Sequence, residues 1–179
     1  MTEKYLLKWA AAVVLACSVL LTGCHTTSTI SPTTGTSGAT TAPLPPPASN
    51  VPFVNAVNIV SGVLQAGGNL AFLTLTPAER VTYAKYISGS GHLFQSLETG
   101  ALPSDSDVTS ALAAYFPTTA GNYTQVVNLA IAAVTSFKGI IANYVPSNDA
   151  NYAAYVNYGL NALANAAFSV AAPYLTPAS

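Results

Sequence analysis

The stretch "NYAAYVNYGLNALANAAFSV", Asn151–Val170, decides the fold class. Tyr152, Val156, Leu160, Leu163, Ala167 and Val170 recur in it at steps of four and three. At about 100° per residue they form one narrow apolar stripe of a helix. Asn157, Asn161 and Asn165 recur at steps of four on nearly the opposite side. A strand would instead alternate apolar and polar residues, and no such run with hairpin turns stands out elsewhere in the chain.

Upstream, the punctuation is helical too. In "TPAE", Thr76–Glu79, Thr76 can cap, Pro77 suits the first helical position, and Glu79 stands where a capping-box carboxylate belongs. That helix is predicted to run to Thr99, with Gly100 beyond it and Pro103 as a stop. Ser104 with Asp107 repeats the capping pattern, and Pro117 closes a short helix after Phe116. Ser147 or Asn148 opens the last helix, which ends near Pro173. Asn50 with Pro52 opens the first, on a stripe of Phe53, Val57, Val60, Leu64, Gly67 and Ala71. Asn58, Gln65 and Asn69 face away from that stripe. In the second helix Tyr83, Ile87, Ser90, Phe94 and Leu97 align, with Lys85 and His92 on the far side.

A fourth helix, from about Asn122 to Val145, differs. Val127, Ile131, Val134 and Ile141 form its stripe. Leu129, Ala133, Phe137, Ile140 and Tyr144 widen its apolar arc past half the circumference. A helix apolar over most of its surface is usually the buried one, so it is expected at the centre. The fold class is therefore all-α: a compact bundle of about five helices over residues 51–179.

The N-terminus carries a different signal. Lys4 and Lys8 precede the apolar run "AAAVVLACSVLL", Ala10–Leu21. That run is shorter than the roughly 20 residues a spanning helix needs. A basic start, a short apolar run and small residues at its end mark a secretory signal peptide. Its end, Leu21-Thr22-Gly23-Cys24, resembles the bacterial lipobox. The resemblance implies a signal peptide over 1–23, cleavage before Cys24, and lipidation of Cys24 on its sulfur and often its amine. Acyl chains at about 0.8 kcal/mol per buried methylene would make the attachment essentially permanent. His25 follows the cysteine; retention at the inner membrane is usually linked to Asp there, so the resemblance favours the outer membrane. Of the two cysteines, Cys17 would leave with the signal peptide, so no intramolecular disulfide is expected.

Residues 24–50 then form a Thr/Ser/Pro-rich stretch with almost no large apolar side chain. It cannot bury enough surface to offset the entropy of ordering, so a disordered tether is expected. Such a chain spans roughly 25–30 Å, stiffened at its far end by Pro43–Pro47.

Candidate chemistry is sparse. Asp105, Asp107 and Asp149 lie in first turns, where negative charge meets the positive helix end. The pair in "DSD" lacks a third metal ligand. His92 points away from the predicted core and reads as a surface histidine. "GSG", Gly89–Gly91, lacks the preceding strand of a dinucleotide fingerprint and the lysine of a phosphate loop. The Gly67-Gly68 pair fits a close helix approach. Net charge near zero argues against nucleic acid. No cofactor, metal or catalytic constellation is predicted, and the chain is read as not an enzyme.

The outer faces are unusual. Charged residues make up 6% of the chain, against roughly 25% in ordinary soluble domains. A partner or further copies, contact with lipid or glycan, or an acidic setting would each account for that. Tyr155, Tyr158 and Phe168 miss the last helix's stripe, and with Asn161 and Asn165 they form the candidate interaction surface. The sequence thus predicts a lipid-anchored cell-envelope protein that binds a protein partner or itself. The alternative is a carrier of a small apolar ligand or lipid held between the helices.

Overall fold

Thr76 and Ser104 set the frame. Thr76 Oγ1 accepts the Glu79 N–H at 3.4 Å, and Glu79 Oε2 accepts the Thr76 N–H at 2.9 Å. Ser104 and Asp107 repeat this reciprocal box at 3.2 and 2.7 Å. Asn50 Oδ1 accepts the Phe53 N–H at 3.1 Å, so the first helix too opens where the sequence predicts. The computed structural model describes residues 50–73, 75–116 and 123–175, with Leu44 and Pro47; for 123–127 and 129 only the backbone is described. The helices are α1 (Val51–Leu73), α2 (Pro77–Ser96), α3 (Asp105–Tyr115), α4 (Tyr123–Tyr144) and α5 (Tyr152–Leu175). No strand occurs among the described residues. The signal peptide, Cys24 and the tether as far as Pro43 lie outside the described residues.

The start of the last helix differs from the expectation, whereas its end lies near Pro173 as predicted. Asp149 accepts the Asn151 N–H at 2.8 Å. This turn holds 147–151 out of the helix, which begins at Tyr152 instead. At the other end the helix passes through Pro173 to Leu175. Tyr174 stacks on Phe72 there, with centroids 4.0 Å apart and planes at 4°.

The centre is α5, not α4. α5 packs most extensively on α2, then on α1, and also touches α4. The other main contacts run α2 to α3, α3 to α4, and α4 to α1. Twelve α5 residues are buried, on almost every side of the helix. Ala164, Ala166, Ala171 and Gly159 are among them, and their small size brings neighbours close. The Phe137 ring of α4 lies directly over Gly159. On α4 itself Val134 and Ile141 are fully buried, as predicted, but Tyr144 is 41% exposed. The width of an apolar arc favoured α4 because it counts large side chains. Close approach, which decides centrality here, is carried by small ones.

The core has a large cluster around Phe53, Leu93, Leu112, Val134, Phe137 and Leu160. A smaller one joins Phe72, Tyr83, Ile87 and Val170. Gly68 supports the second: a methyl there would fall 2.7 Å from Val170 Cγ1, so this glycine permits close packing of α1 on α5, as predicted.

Candidate functional site

Four of the five residues predicted as an outer contact face lie inside the domain. Tyr155, Tyr158, Asn161 and Phe168 are 1%, 9%, 3% and 5% exposed, and Asn165 is half-buried. Tyr155 meets Phe53 edge-on with centroids 5.3 Å apart. Tyr158 tilts against the same ring at 6.3 Å, and its hydroxyl donates to Asn58 Oδ1 at 3.3 Å. Phe168 fills the space beside Gly91, where a methyl would fall 2.6 Å from its ring. The reading of these residues as an interaction surface is therefore corrected. Because α5 is surrounded, a side chain that misses its main stripe meets another helix rather than water.

The asparagines of α5 form a polar ladder instead. Asn157 Oδ1 accepts the Gly100 N–H at 2.8 Å. Gly100 adopts φ 81, the left-handed region open to glycine, in the connection after α2. One turn on, Asn161 Nδ2 donates to Glu98 Oε1 at 3.3 Å. Asn161 Oδ1 accepts from Asn165 Nδ2 at 2.8 Å and from the Leu44 N–H at 3.1 Å. Burial pushes the Glu98 carboxyl above its ordinary range, and the Asn161 bond partly offsets this. Asn165 Oδ1 is buried without a partner among the described residues. The ladder pins the end of α2, and the chain entering at Leu44, to the central helix.

The remaining candidates have structural engagements. His92 is half-buried rather than free on the surface. It stacks on Tyr115 at 5.6 Å, meets Phe168 edge-on at 4.8 Å, and its Nδ1 lies 3.3 Å from Gln95 Oε1. Asp107 belongs to the cap, where the Ser104 hydroxyl and then its backbone N–H hold the carboxyl below the usual range. Asp105 pairs with Lys138 at 3.5 Å, both partly exposed. Gly89–Gly91 lies within α2, its glycines facing the Phe116 and Phe168 rings. Among the described residues no three His, Cys, Asp or Glu side chains cluster.

One feature escaped the sequence reading. Ile59, Val63, Leu70 and Leu73 of α1 are 42%, 40%, 64% and 70% exposed. With the exposed Ala66 they recur at steps of four and three over two heptads. This is a second stripe, about 120° around the helix from the one that packs on α5. Its periodicity is present in the sequence, but the first stripe by itself accounts for the helix and masks the second. α1 is long and apolar enough to cross a membrane, by length and composition. Its buried Phe53, Val57 and Val60 nevertheless belong to the core of the domain. No protein-family model, curated protein or solved structure matches the chain.

Proposed function

We propose that the protein is a lipid-anchored cell-envelope protein whose helical domain is a non-catalytic interaction or assembly module. The observation that carries the anchor is Leu21-Thr22-Gly23-Cys24 at the end of a short apolar run behind Lys4 and Lys8. His25 in the next position supports the outer membrane over the inner. The module reading is supported by the α1 stripe, an apolar face of a kind that marks contact sites on soluble domains. It is also supported by the engagement of His92, Asp105 and Asp107 in packing, pairing and capping.

Membrane fractionation of cells expressing the full chain tests the anchor. Wild type is expected in the membrane fraction and resistant to salt extraction, as acyl chains dictate. Cys24→Ser should block processing before residue 24. A Cys24→Ser chain still cleaved there and still membrane-bound would overturn the proposal.

A further inference from the structure

We infer that the exposed stripe of α1 is a seam for a second copy of this chain. The inference deepens the reading of the domain as an interaction module, on which it rests, and names its partner. Ile59, Val63, Ala66, Leu70 and Leu73 repeat in the four-three pattern over about 21 Å of helix. A stripe confined to such positions is the narrow seam by which one helix packs on another.

Charge favours self-pairing. α1 contains no Asp, Glu, Lys or Arg. A two-fold interface places one patch against itself, so any charge on it would meet its like. This face carries none, and the exposed Asn55 and Asn69 beside it can both donate and accept hydrogen bonds. A helix that docks on anionic lipid instead carries Lys or Arg beside large apolar rings, and this stripe has neither. Nor do the bonded residues described before α1 lie along it. Leu44 bonds to Asn161 of α5, and Asn50 Nδ2 donates to the Tyr144 carbonyl of α4 at 2.6 Å.

Size sets the strength. A stable interface takes roughly 20–30 residues a side, and the seven residues of this face supply about a third of that or less. The pairing is therefore weak in dilute solution. Chains held on one membrane would be concentrated enough to pair.

Ala66 lies at the middle of the stripe, so it meets its own copy whether the two helices run parallel or antiparallel. The test is thiol crosslinking of full-length Ala66→Cys in its membrane. The unsubstituted chain and Thr135→Cys, at an exposed α4 position, are the controls. A crosslinked species of twice the chain mass is expected with Ala66→Cys alone. Adding Val63→Glu and Leu70→Glu sets like charges across the seam and should reduce it at least about tenfold. Circular dichroism should show the fold kept, since both side chains are exposed; Ala66→Cys without them decides the matter even if it is not. An adduct of another mass would overturn the inference in favour of a different protein. A polarity-sensitive dye at position 66 that enters phosphatidylethanolamine–phosphatidylglycerol vesicles, with no dimer, would overturn it in favour of lipid. Neither signal would overturn it outright. Intact mass of the same material reports the anchor separately, so loss of the dimer and loss of the lipid are distinguishable.

Discussion

Asn161 shows how one side chain changes role between a helical wheel and a fold. A polar residue opposite an apolar stripe defaults to solvent. Here, besides Asn165 one turn on, its partners are Glu98 and Leu44, 63 and 117 positions away. Nothing local in "NALAN" could have disclosed them. Asn161→Ala should therefore destabilise by about 1–3 kcal/mol, because it leaves buried groups unpaired. Glu98 adds a pH dependence of definite sign. Its carboxyl is raised by burial in the fold, so the folded chain holds that proton more tightly than the unfolded one. Stability from this group is complete below the unfolded value of about 4.3 and is lost as pH rises through the raised folded value. Glu98→Gln keeps an acceptor for Asn161 without the charge. It should raise the melting temperature near neutral pH and change it little below about pH 4. An equal shift at both pH values would mean that Glu98 is not held in the ladder as described.

At the scale of the element, substitutions at two helical glycines should have opposite signs. Gly139 of α4 has open space where a side chain would begin. Gly139→Ala should stabilise by about 0.5–1 kcal/mol through helix propensity alone. Gly159 of α5 faces the Phe137 ring. There the same propensity gain is outweighed by about 1–3 kcal/mol of overpacking. Urea unfolding of the two variants measures both, and a gain at Gly159 would displace α5 from the centre. Helix starts were legible at Asn50, Thr76 and Ser104 because a cap is a local bond between residues three apart. The last helix began later than expected because Asp149 had a competing local bond, to Asn151. Which helix is central was not legible. It depends on how closely neighbours approach Gly159 and Ala164, and a hydrophobicity pattern gives small residues little weight.

For the whole molecule, five helices follow from sequence, whereas the exposed apolar face lies on α1 and not on α5. Leu44, within the predicted tether, bonds to Asn161 of α5. A chain starting near Ser49 loses the Leu44 bond to Asn161, so it should keep its helices but unfold about 0.5–1.5 kcal/mol more easily than one starting at His25. Identical denaturation curves for the two would show that this contact contributes nothing. In the proposed arrangement the bundle hangs from a membrane by Cys24. Intact mass of the membrane-extracted full-length product tests it most directly. The expected product begins at Cys24 and is heavier than its residues by two or three acyl groups. A chain that keeps Met1, or one cut elsewhere with an unmodified mass, would contradict it.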